Sequence, residues 1–135
     1  MNRSKLRGFT LVELMIVIAI VGILGAISMG FYGNYITDAN RTDGRTALTV
    51  TAASLEKCKA LYSVYNSANC NVAFPVTSDE GLYTVAGTVL AGSTFTLTAT
   101  PVAGAYQAGD TDCTTLTLTS TGIESGTGAD VTECW

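Results

Sequence analysis

The chain has 135 residues, a formal net charge of −4, no histidine and four cysteines, enough for one small domain with appendages. Without histidine no Ser-His or Cys-His pair can form, and with no G-x-S-x-G or P-loop either, no catalytic residue, metal site or cofactor is expected. Arg3, Lys5 and Arg7 precede Phe9 without an acid, whereas from Phe9 onward four basic residues face all eleven acids and none follows Lys59, so nucleic acid is not an expected partner.

The first element is apolar. From Leu14 to Thr37 there are 24 residues without Asp, Glu, Lys or Arg. At ~1.5 Å per residue such a helix spans about 36 Å, enough to cross a hydrocarbon core. The basic cluster before it places the N-terminus on the cytoplasmic side. The run is too long for a secretory signal peptide and has no A-x-A-like cleavage site. Glu13 is the one carboxylate at its edge. Thr10-Leu-Val-Glu13 has the spacing of a capping box, and an acid in the first turn suits the helix dipole by ~0.3–1 kcal/mol. Glycines at 22, 25, 30 and 33 make Gly22 to Gly30 the weakest stretch, helical in a membrane and able to unwind in an assembly.

The order basic residues, Gly8, Phe9, Thr-Leu-Val-Glu-Leu and unbroken apolar helix resembles the class III signal of type IV pilins and pseudopilins. The resemblance implies cleavage between Gly8 and Phe9 by a prepilin peptidase, N-methylation of Phe9, and assembly through Phe9 and Glu13. Glu13 would accept the Phe9 ammonium of a neighbouring subunit, removing the cost of a bare charge near the bilayer and setting axial register. The implied partners are other pilin subunits, the peptidase, an inner-membrane assembly machinery, and membrane lipid before assembly. The implied location is the inner membrane as precursor, then an extracellular pilus of a bacterium.

Leu48, Ala52, Leu55, Cys58, Tyr62 and Tyr65 form a helical stripe, so the helix is expected to run from about Thr10 to Leu61, about 78 Å. Residues 63–81 carry Pro75 and Gly81 and read as a loop. Leu82 to Val89, Ser93 to Thr100 and Thr114 to Ser120 read as strands. In the last two, Phe95, Leu97, Ala99, Leu116 and Leu118 share one face and threonines the other. Ala91-Gly92 marks a turn, Asp110 and Asp112 read as a solvated loop, and Gly122 to Trp135 reads as a tail. The expected fold is α+β: a long N-terminal helix packed on a small antiparallel sheet of three to four strands, with a disulfide-closed C-terminal region.

The cysteines allow three connectivities. Cys58–Cys70 and Cys113–Cys134 close the short local loops and are favoured, each worth roughly 3 kcal/mol by loop entropy. The expected division is a leader at 1–8, an apolar transmembrane and filament-core helix at 9–37, and a head at 38–135. Within the head the helix runs to about 62, a loop follows at 63–81, and the sheet and C-terminal loop occupy 82–135. The segments Phe95 to Pro101 and Gln107 to Gly122 with Cys134-Trp135 resemble the small, often minor, type IVa pilins. The leading functional expectation is therefore a structural pilus subunit supporting motility, adhesion or attachment. The alternatives are a DNA-uptake minor pilin and a pseudopilin of a type II secretion system.

Overall fold

The computed structural model describes residues 9–70, 72–90 and 92–135, the side chains of 29–31, 89 and 90 excepted. The leader at 1–8, with Gly8, and Ala91 of the expected turn lie outside the described residues. Helix α1 runs Leu11–Tyr62. The chain divides into two units, Met1–Ile36 and Thr37–Trp135. In the first, the described segment Leu11–Ser28 is a helix long and apolar enough to cross a membrane, and its side chains are exposed.

In the second unit, α1 covers a sheet formed by β1 (Val76–Thr77), β2 (Tyr83–Leu90), β3 (Thr94–Pro101), β4 (Thr115–Thr119) and β5 (Glu124–Thr127). The strands are antiparallel and neighbour one another in chain order. Five strands form where three or four were expected. The two additions are short: β1 lies inside the expected 63–81 loop, paired as Val76↔Val85, and β5 inside the glycine-rich tail, paired as Thr117↔Ser125. β1 is too short to mark a strand in sequence, and β5, Glu-Ser-Gly-Thr, lacks the β-branched density that would.

The strand alternation sorts the two faces. Phe95, Leu97, Ala99, Leu116 and Leu118 are buried against Leu48 and Leu55 of α1, and the hydroxyl residues of β3 to β5 face outward. Truncating any of the buried leucines to alanine costs ~2–5 kcal/mol. α1 packs tightly on the sheet at Gly44, where an added Cβ would lie 3.0 Å from Leu116 and Tyr83.

The helical stripe ends at Cys58. Tyr62 is exposed, contrary to the sequence expectation, while Tyr65 is buried. Ser63 adopts a left-handed φ of 64° and its N–H donates to the Lys59 carbonyl at 2.7 Å, which terminates the helix. Helical periodicity stops there, and the chain folds back so that Tyr65 meets Phe95 edge-on at 4.9 Å. Both cysteine pairs, Cys58–Cys70 and Cys113–Cys134, are bonded, with Cα atoms 5.5 Å apart in each.

Candidate assembly site

The helix start is a closed hydrogen-bonded box. The Thr10 N–H and hydroxyl both donate to Glu13 Oε2, at 2.9 and 2.8 Å, and the Glu13 N–H donates to Thr10 Oγ1 at 3.2 Å. Helix N-termini leave amides unpaired, and this reciprocal arrangement satisfies two of them. Both Thr10 donors use Oε2, so Oε1 stays outside the box. Phe9 precedes the box and is 80% exposed. Beyond Glu13, the exposed apolar face of Leu11–Ser28 is broken only by Ser28, whose hydroxyl donates back to the Leu24 carbonyl at 2.8 Å. A continuous apolar surface of this extent marks a membrane or protein interface.

A second polar cluster lies inside the head. Arg41 Nε donates to Asp110 Oδ2 at 2.8 Å and Nη2 to Oδ1 at 2.9 Å, the bidentate fork of an arginine–carboxylate pair. Asp110 also accepts from the N–H groups of Asp112 and Cys113 and from Gln107 Nε2. It is 8% exposed, so the solvated loop expected from sequence is corrected: Asp110 is a buried anchor and only Asp112 remains exposed. Arg41 Nη1 reaches the Glu133 carbonyl at 3.0 Å, and Arg45 Nε the Cys134 carbonyl at 2.9 Å. Successive turns of α1 thereby hold the segment closed by Cys113–Cys134.

Burial alone would raise the Asp110 carboxyl. The Arg41 hydrogen bond, the Cys113 amide and the Arg41 charge outweigh it and hold the pKa below the ordinary 3.8. Arg41 is raised, chiefly by its bond to Asp110. Beside them, burial pushes Tyr83 up to about 12. This cluster is a structural clamp. Its existence had a signal: Arg41, Gly44, Leu48, Thr51, Leu55 and Cys58 are spaced 3, 4, 3, 4, 3, so the stripe extended backwards puts Arg41 on the buried face, where a charge needs a partner. The partner, 69 residues away, had none.

Two family models match the chain. Residues 3–29 match the prokaryotic N-terminal methylation motif, and residues 31–117 match the type IV minor pilin ComP, DNA uptake sequence receptor. Fimbrial protein Q of Moraxella bovis is 40% identical over 88 residues, which cover 65% of this chain and 54% of that one. The chain thus spans about half the length of that relative. A type IV pilin from Shewanella oneidensis superimposes with a TM-score of 0.51 at 24% identity, covering 73% of this chain and 97% of the other. The non-core minor pilin PilV of Neisseria meningitidis gives 0.53 at 18% identity, covering 71% and 91%. At these identities the two solved structures bear on fold alone. With a helix start, a sheet and a disulfide-closed tail of this kind, and a family match over more than half its length, the chain is a type IV pilin and belongs to the ComP-type minor pilin family.

Proposed function

We propose that this chain is a structural subunit of a type IV pilus, cut between Gly8 and Phe9 by a prepilin peptidase, N-methylated at Phe9 and packed through its apolar helix into a surface filament. Membership in the pilin family makes it a structural protein rather than an enzyme. The precursor sits in the inner membrane with the helix in lipid. An inner-membrane machinery then draws it into the filament, whose extension and retraction would supply motility, adhesion or attachment.

The observation that carries this reading is Glu13, a carboxylate one turn into an exposed apolar helix. The capping box occupies Oε2 through Thr10. Oε1 is left for a second donor, and the Phe9 ammonium of an adjacent subunit has the charge and reach to be that donor. A bare charge at the centre of a membrane helix costs about 2.5–3.5 kcal/mol on insertion scales, and part of that cost falls on a lone carboxylate at its edge. Pairing in trans removes that cost and fixes register between helices that would otherwise slide. Capping and pairing are therefore simultaneous roles.

The test is the intact mass of the chain from sheared filaments. The expected species lacks residues 1–8, carries one added methyl group, and is four hydrogens lighter than its fully reduced form. Full-length chain found only in membranes overturns the reading.

The family's DNA-uptake description favours a second reading, capture of DNA. Phosphate neutralisation by Lys and Arg dominates such binding. In the head, Arg41 is buried on Asp110 and Arg45 is held by Asp38 and two carbonyls. Lys59 lies over the Tyr65 ring and bonds its hydroxyl, which leaves Lys57 as the cation without a partner among the described residues. The commitment of these cations favours assembly over DNA capture as the leading proposal. Duplex retention by filaments at ~50 and ~200 mM salt discriminates them: loss of retention on deleting this subunit would put DNA capture first.

A further inference from the structure

The head carries a seam along α1, on the side where Asn69, Cys70, Val72, Val76 and Asp79 line clefts with the helix, and it is electrically graded. At one end Asp43, Asp79 and Glu80 line an open cleft of about 440 Å³ with Thr46 and Leu82. The Glu80 N–H donates to Asp43 Oδ1 at 3.2 Å, while Asp43 Oδ2 is shut off from solvent without a hydrogen-bond partner. None of the three carboxylates has a cationic partner among the described residues. The middle is apolar, with Val50, Val72 and Val76. At the other end Lys57 is exposed and has no hydrogen bond or ion pair among the described residues, beside Leu61, 66% exposed, and Tyr62, 43% exposed.

Asp43 and Lys57 are fourteen residues apart on one helix. At ~100° and ~1.5 Å per residue they share a face to within ~40° and are offset by ~21 Å along the axis. We propose that this seam docks a second copy of the chain, with Lys57 and its apolar flank from one head entering the Asp43–Asp79–Glu80 cleft of the next. The inference rests on the pilus reading, which aligns all helices in one direction. Between parallel copies, opposite patches displaced along the helix make a head-to-tail contact that repeats, and such contacts build open helical polymers rather than closed dimers. Charge complementarity selects the occupant: three unpaired acids require a cation, and Lys57 is the one left uncommitted among the described residues of the head. The pairing also relieves repulsion among the three carboxylates. Phe9–Glu13 pairing would set register at the filament core, and this contact would set it at the filament surface.

The experiment compares full-length wild type, Lys57→Glu, Glu80→Lys and the double swap in cells, measuring membrane-inserted and filament-borne chain separately. Each single reversal is expected to lower the filament fraction at least fivefold at unchanged membrane level, and the double swap to restore at least half of it. Normal incorporation of Lys57→Glu overturns the proposal. So does a double swap no better than the singles, which is also the outcome if another subunit or a metal ion fills the cleft. Protease resistance of the membrane-inserted variants, matching wild type, separates misfolding from lost contact. Absence of the wild-type chain from filaments would instead sink the pilus reading. Wild-type incorporation that is lost in Glu13→Gln but kept in Lys57→Glu would sink this contact alone.

Discussion

Arg41 and Asp110 form a two-pronged ion pair across 69 residues of chain, at 2.8 and 2.9 Å, with both side chains at 6% exposure or less. The pair joins the helix to the loop leading into Cys113, and the same guanidinium reaches the Glu133 carbonyl. One contact therefore gathers the helix, the β3–β4 connection and the C-terminal segment. Replacing such a pair by apolar residues is often neutral, but removing one partner leaves a buried charge alone.

Asp110→Ala should accordingly lower the stability of the head by ~3–5 kcal/mol, a fall in melting temperature of more than about 10 °C. Arg41→Met with Asp110→Leu should recover much of that loss. Thermal unfolding of the detergent-solubilised chain, followed by circular dichroism, gives both values. A melting temperature for Asp110→Ala within a degree or two of wild type would contradict the anchoring role.

The same pair sets an acid limit. Asp110 has a folded pKa below its ordinary 3.8, so its contribution is fully present above that value and is lost as pH falls through the lower folded value. Stability should be nearly level from pH 7 to about 5 and decline below about 4. In Asp110→Asn this part of the acid slope should vanish. Denaturant midpoints at several pH values measure it, and an unchanged slope in the variant would assign the acid sensitivity to other carboxylates.

Glu13→Gln separates two roles that Glu13→Ala merges. Glutamine at this position keeps the capping box but cannot hold an ammonium as an ion pair. Helicity and membrane insertion should persist while incorporation into filaments falls at least tenfold. In Glu13→Ala insertion should also persist, with the same loss of incorporation. Wild-type incorporation of Glu13→Gln would reduce the residue to a cap.

Gly87 sits in the middle of β2, and a Cβ added there would run into the Phe74 ring. Gly87→Ala should cost ~1–3 kcal/mol by overpacking, and Gly87→Ala with Phe74→Leu should regain part of it. Chemical denaturation of both variants is the measurement, and a neutral single variant would show that the ring swings aside freely.

Breaking Cys113–Cys134 with Cys113→Ser and Cys134→Ser should cost ~2–5 kcal/mol. Both residues are fully buried, and Cys134 lies in the segment that Arg41 and Arg45 hold. Loss of this bond and of Asp110 should therefore be non-additive, since both tie down the same chain. A double-mutant cycle measures that coupling, and strict additivity would contradict it.

The elements readable in sequence are those whose pattern is local. The helix follows from 24 uncharged residues and a 3-4 stripe, and β3 and β4 follow from strict alternation around Leu97 and Leu116. The capping box was legible because Thr10 and Glu13 are three residues apart. Tyr62 was misplaced because the Ser63 turn lies past the reach of helical phase. Val76–Thr77 and Glu124–Thr127 became strands only because β2 and β4 were there to pair with them. Asp110 looked like loop polarity because burial of a carboxylate depends on its cation, which lies on a distant element. The Asp43–Asp79–Glu80 cleft was invisible for the same reason: its acids come from two segments that only the fold brings together.

The threonine-rich sheet has two borders, and neither invites another strand. One is β1, two residues long. The other, β5, is only four residues long, and Trp135 is tied beside it by the bond its indole donates to the Ser125 carbonyl at 2.6 Å. On the pilus reading proposed above, subunits must add through one surface and not another, and exposed strand borders are the usual template for amyloid-like stacking. Two short borders leave the helix as the route that reading requires.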